Sequence, residues 1–195
     1  MTVLLYITTM AVRKILTIPD PRLYEISEKV TEFGRPLRPL IRDMFDTMYA
    51  ADGVGLAAIQ IGVKKRILVL DLTHFGFVKG VFINPEVVEQ SKEMQEGDEG
   101  CLSVPGLSVP LKRPKYVKVK YQDLNGSERI IEGEMLLARA LLHEMDHLDG
   151  KVFVDLLEPA IKREVAEDIE RIKQGLMPQK ERIPEYRKEV SKARA

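Results

Sequence analysis

The sequence is poor in the features that would tie a protein to a membrane, a nucleic acid or an oxidising compartment. It has one cysteine, Cys101, so no disulfide can form within the chain and folding does not rest on oxidation. Thirty basic residues cancel thirty acidic ones, leaving no overall field to draw in DNA or a lipid surface. Long apolar runs are missing too. The opening "MTVLLYITTMAVRKIL" lacks a basic start, and it is too short and too polar at "TT" for a signal peptide or a membrane span. Residues 1–10 read as an extension, with translation starting at Met1 or Met10, ahead of a cytoplasmic protein. What remains is a chain of 195 residues, 45% apolar, enough for one domain with its own core.

The apolar residues sort into elements. In "RPLRPLIRDMFDTMYAAD", Leu40, Ile41, Met44, Phe45 and Met48 recur at helical spacing. That helix is expected to stop at "DG", where Gly53 can take positive φ. "KRILVLDL" and "GVFINPEVVEQ" are β-branched runs between turn residues and read as strands. "YVKVKYQDLNGSERIIEGE" alternates Val117, Val119 and Tyr121 with lysines and turns at Asn125-Gly126, which predicts a hairpin. "MLLARALLHEMDHL" is apolar on nearly every side, so it predicts a buried helix, ended at Asp149-Gly150. From Pro159 the chain turns charged. Ile161, Val165, Ile169 and Ile172 keep helical spacing until Gly175 and Pro178 break it.

Two of the three histidines sit in "HEMDH", residues 143–147. A helix turns about 100° per residue, so with His143 at zero, Glu144 lies near 100° and His147 near 40°. Two imidazoles one turn apart can share a metal ion, and Glu144 can reach a water on that ion without being a ligand. Asp146, on the other flank, is suited to hold an imidazole or an arginine. A buried imidazole pair without an ion would leave polar groups unsatisfied. Such a site needs a third protein donor. It could be a downstream glutamate, Glu164, Glu167 or Glu170, or it could be Cys101.

Cys101 lies in "EGDEGCLSVPG", where Gly97, Gly100, Gly106 and Pro105 predict a tight loop between strands. "GVGLAAIQIG", residues 53–62, carries three glycines and Gln60 but lacks the spacing of a dinucleotide fingerprint. Its glycines would let a substrate backbone lie against the chain, and the Gln60 amide could polarise a carbonyl.

"GVGLAAIQ", "EGCLS" and "HEMDH", in that order, resemble the three signature motifs of peptide deformylases. The likeness covers most of residues 11–157, including "DPRL", "INP" and "DHLDGKVFVDLL". It implies an α+β fold, with antiparallel sheets packed around a central metal-binding helix and a C-terminal helix beyond. One metallohydrolase domain is expected over residues 1–158, with 1–10 as an extension, and the composition past it reads residues 159–195 as a charged helix and tail. By the same resemblance Cys101, His143 and His147 would hold the metal, with water in the open position. Glu144 would be the general base, and Gln60 with the Leu102 N–H would stabilise the oxyanion. Gly55 would lie where the substrate main chain docks, with Gly53, Val54 and Glu99 as further substrate-binding residues. The implied metal is iron(II), with zinc, nickel or cobalt able to replace it. The implied substrate is formyl-methionine at the start of nascent chains, and formate is released. The family often has Pro, Ser or Thr where this chain has Ile59, and commonly has glutamine where it has Leu142.

Two other classes stay open on the residues alone. A zinc endopeptidase would take a downstream glutamate as third donor, and a metal-stabilised binding module would need neither Glu144 nor Gln60. The tail residues Lys162, Arg163, Arg171, Lys173, Lys180 and Arg182 could contact ribosomal RNA, or form a solvated face balanced by neighbouring acids.

Overall fold

The strand Ile67–Asp71 explains the architecture, because its apolar residues alternate between two helices. Ile67 and Val69 pack with Ile41, Met44 and Met48 of helix α1, Arg38–Ala50. Leu68 and Leu70 pack with Leu137, Leu141, Met145 and Leu148 of helix α2, Met135–Leu148. A strand covered on both faces carries an unbroken apolar run, and burying each such side chain stabilises the fold by about 1.5–3 kcal/mol. The structure is a computed structural model that describes residues 12–180. The expected extension and start sites before residue 11 and the tail past residue 180 lie outside the described residues.

Among the described residues, seven strands form two antiparallel sheets. In the larger, β1 (Gly55–Ala57), β2 (Ile67–Asp71), β3 (Lys79–Gln90), β6 (Tyr116–Gln122) and β7 (Glu128–Glu134) lie side by side in that order. The β6–β7 hairpin turns through Gly126 at φ 83°, as its "DLNG" predicts. The smaller sheet pairs β4 (Met94–Cys101) with β5 (Val104–Pro114). Helix α2 packs against both, so the α+β arrangement around a central helix is present.

Two local expectations are corrected. Gly97 and Gly100 do not form a loop; they lie in the β4–β5 ladder, which needs only backbone groups and tolerates glycine, while Gly106 lies in β5 at φ 76° where the register shifts. At the end of α1 the positive φ falls on Asp52, at 52°, and not on Gly53. Asp tolerates the left-handed region better than most residues. Helix α2 ends as expected: Gly150, at φ 70°, donates to the His147 carbonyl, and Lys151 donates to that of Asp146.

Among the described residues of the charged C-terminal stretch are two helices, α3 (Pro159–Glu164) and α4 (Ala166–Lys173), with Val165 between them. Val165, Ile169 and Ile172 are buried in the same apolar cluster as Cys101, Val109 and Phe153. No helix among the described residues is long and apolar enough to cross a membrane.

Candidate metal centre and its pocket

Helix α2 turns His143, Glu144 and His147 toward the last residue of β4, Cys101, and all four are buried. Cys101 Sγ stands 3.1 Å from His147 Nε2, and the imidazole rings are 5.0 Å apart and nearly perpendicular. Among the described residues this is the one set of three His, Cys, Asp or Glu donors within 4.8 Å of one another. Glu164, Glu167 and Glu170 are not brought into it. The geometry thus selects Cys101 as the third candidate donor.

Glu99, two residues before Cys101, faces the same helix because alternate strand residues share a face. Its Oε1 lies 2.6 Å from His143 Nδ1, which fixes the proton on Nδ1 and leaves Nε2 to face the cluster. Arg113 grips the same carboxylate at 3.0 and 2.5 Å, and Arg139 donates to it at 2.9 Å. Arg113 also pairs with Asp146 at 2.5 Å, so Asp146 holds an arginine. These partners occupy both oxygens of Glu99, which also lines the pocket beside Gly100 and Cys101. Burial would raise the Glu99 pKa, but His143 and Arg113 outweigh it and hold the carboxyl well below the usual range.

The donor set fits a divalent ion. Burial would raise the Cys101 thiol, yet the His147 and His143 rings outweigh it and bring it down to about 5. Burial would lower His143, but Glu99 and Cys101 together raise it well above the ordinary imidazole value. Such a cluster readily exchanges protons for a cation, and one sulfur with two imidazole nitrogens suits zinc or ferrous iron. His147 Nδ1 is buried without a partner among the described residues, so its polar contact runs through the Nε2 that faces Cys101.

A pocket of about 540 Å³ opens onto this cluster. Gly53, Val54 and Gly55 form one wall, and Leu136, Arg139 and Ala140 of α2 form another. Glu144 is 5% exposed, and burial pushes its carboxyl up to about 7. A Cβ at Gly55 would collide with the Glu144 carboxylate and with Leu70, so glycine allows this strand edge to lie against the acid.

Gln60 is buried in a short 3-10 turn, Ala58–Ile61, and not on a surface loop. Its Oε1 accepts the Ala57 N–H at 2.8 Å, which directs the Nε2 donors to Ser103 Oγ at 3.1 Å and Cys101 Sγ at 3.6 Å. Leu102, next after Cys101, also lines the pocket. Ile59 is buried in the core beneath the sheet, and Leu142 is half-buried against the same core, so both departures from the motif serve packing. Sequence reasoning missed Ser103, Arg113 and Arg139. Ser103 stood in the quoted "CLS", whereas the arginines reach Glu99 from 14 and 40 residues away and leave no local signal.

The comparisons agree with this geometry. A family model described as polypeptide deformylase matches residues 12–163. A peptide deformylase of Erythrobacter litoralis is 42% identical over 193 residues, covering 85% of this chain and all of its own. One from Agathobacter rectalis is 48% identical, covering 82% of this chain and 98% of its own. The crystal structure of a peptide deformylase from Legionella pneumophila superposes with a TM-score of 0.77 at 46% identity, covering 84% of this chain and 96% of its own. That of Ehrlichia chaffeensis in complex with actinonin gives 0.77 at 42%, covering 85% and 98%. With motifs, fold and site geometry in agreement over the same residues, the chain belongs to the peptide deformylase family.

Proposed function

We propose that the protein removes the formyl group from formyl-methionine at the start of newly made polypeptides, releasing formate. One observation carries this reading: Glu144, a buried acid with a pKa near 7, borders a Cys101–His143–His147 donor set at a pocket edged by open backbone. Cys101, His143 and His147 would hold the metal, and iron(II) is the ion proposed, with zinc, nickel and cobalt as substitutes. A divalent ion held there supplies Lewis acidity, making water acidic enough to ionise near neutral pH.

The chain's own groups do the rest. Glu144 takes the proton of the attacking water and later passes it to the departing amine, a task suited to a carboxyl that titrates near the working pH. The Gln60 amide, aimed by Ala57, and the Leu102 N–H donate to the formyl oxygen as charge develops on it. Strand β1 is the outer strand of its sheet, so Gly53, Val54 and Gly55 can align an extended substrate backbone along that edge.

The test is formate release from a short formyl-methionyl peptide by protein purified without oxygen and supplied with ferrous iron. Release that is lost in Glu144→Ala, with metal retained, supports the assignment. No release from folded, metal-loaded protein overturns it.

The exposed Lys162 and Arg163 support the further reading that α3 contacts ribosomal RNA. Lys162→Ala with Arg163→Ala should then weaken cosedimentation with ribosomes, and unchanged cosedimentation overturns that contact. Truncation after Leu157 would be a poor test, because it removes Val165, Ile169 and Ile172 from the core.

A further inference from the structure

Ser103 is fully buried and does not line the pocket, yet several of its groups reach into the site's framework. Its carbonyl accepts the Ile18 N–H at 3.0 Å. Its own N–H donates to Cys101 Sγ at 3.4 Å, which closes the turn that carries Leu102. Its hydroxyl stands 3.1 Å from Gln60 Nε2.

The polarity of the Gln60 contacts is forced. A backbone N–H can only donate, so the Ala57 contact at 2.8 Å requires Gln60 Oε1 on that side. Nε2 then faces Ser103 and Cys101, and the Ser103 hydroxyl is the acceptor. Nε2 carries two hydrogens, and they meet unlike partners. An oxygen at 3.1 Å makes an ordinary hydrogen bond, whereas a sulfur at 3.6 Å makes a weak one. One hydrogen is therefore engaged and the other is held loosely beside the donor cluster. Ala57 alone would leave the amide free to tilt about a single contact. Ser103 supplies the second point and fixes its plane.

We propose that Ser103 is a positioning residue for the reaction, its hydroxyl holding one Gln60 hydrogen so that the other is presented to the substrate oxygen. The inference rests on the deformylase reading, in which Gln60 donates to the formyl oxygen. Because Ser103 also ties the turn around Leu102 through its main-chain bond to Sγ, both proposed donors to that oxygen share one anchor. A donor set in place before charge develops needs no reorganisation when it does. Losing the anchor should thus slow turnover and leave substrate binding nearly unchanged.

The experiment measures kcat and KM for formate release from a formyl-methionyl peptide, with metal content determined for each protein. The iron-loaded wild type is compared with Ser103→Ala, Gln60→Ala and the double variant. Removing an oxyanion donor outright costs about 100–1000-fold in kcat. Removing the hydrogen bond that aims it should cost about tenfold or more, with KM little changed and metal retained. In the Gln60→Ala background the same Ser103→Ala change should cost less than about twofold, because the group it positions is gone. A second readout needs no turnover. In the zinc-loaded protein, hydrogen exchange of the Gln60 side-chain amide, followed by NMR, should quicken in Ser103→Ala. Undiminished kcat in Ser103→Ala, an equal loss with and without Gln60, or unaltered amide exchange would each overturn the inference. Loss of the metal would overturn it too, by making Ser103 a support for the thiol. The wild-type rate separates the two levels. No formate from folded, metal-loaded wild type overturns the deformylase reading and this inference together, whereas release with any of those outcomes overturns the inference alone.

Discussion

Glu99 Oε1 and His143 Nδ1 lie 2.6 Å apart, a carboxylate of the smaller sheet fixing an imidazole of the long helix. The contact orients a candidate metal donor, and two arginines hold the carboxylate in turn.

Glu99→Ala should therefore act at two levels. Losing the partner that orients a metal-binding imidazole typically weakens metal affinity ~10–100-fold. It would also leave Arg113 and Arg139 buried with less compensation, destabilising the fold by about 3–5 kcal/mol. Metal titration and urea unfolding of the same preparation would register both changes, and an unaltered unfolding midpoint would contradict the second.

Glu144 sets a pH dependence in the metal-free protein. Its folded carboxyl titrates near 7 against an ordinary 4.5, because burial disfavours the charged form. The folded state thus holds this proton more tightly than the unfolded chain does. The resulting stability is fully present below about 4.5 and is lost as pH rises through 7, by roughly 3 kcal/mol in all. Glu144→Gln cannot ionise. It should match the wild type near pH 4.5 and become the more stable of the two at pH 8. Chemical unfolding of both proteins at the two pH values would check the sign.

Gly55→Ala places a methyl group against the Glu144 carboxylate and Leu70. Metal content should persist while kcat falls by about tenfold or more, since small displacements of a catalytic group are costly. A variant with wild-type kcat would mean that β1 yields without moving Glu144.

Ile172→Ala tests whether α4 belongs to the core. Ile172 is buried beside Val165 in the cluster that also contains Cys101. Truncating such a side chain costs about 2–5 kcal/mol, to be read as a lowered Tm. An effect below about 0.5 kcal/mol would place the helix outside the cooperative unit.

The site was largely legible because its key spacings are local. "HEMDH" is one helical turn, and helical periodicity needs no tertiary information to place both rings on one face. Cys101 was legible as a candidate from the residues, and only the resemblance of "EGCLS" favoured it over the downstream glutamates; the physical cause, how β4 meets α2, leaves no local signal. The glycines around Cys101 misled as a loop signal. In a backbone ladder, Gly97 and Gly100 can sit opposite residues of β5, and at Gly97 the missing side chain leaves room for Arg139. Arg113 and Arg139 were invisible for a further reason: an ion pair across two layers has no period in sequence.

The segment before the first 3-10 turn has a wider consequence. Leu16 N–H bonds the Gln60 carbonyl at 2.8 Å, and Ile18 N–H bonds the Ser103 carbonyl at 3.0 Å. Two residues apart, these amides span the strands of chemistry that meet at the pocket, one on each side. The segment acts as a suture between the proposed oxyanion arm and the thiol arm. Where an affinity tag is fused, or a shorter start is chosen, the deletion limit is therefore set by folding and by the site at once, because Leu16 and Ile18 are core residues as well. A chain trimmed past Leu16 would lose a buried core side chain together with the amide that holds the Gln60 carbonyl, so stability and the register between the two arms would fall together.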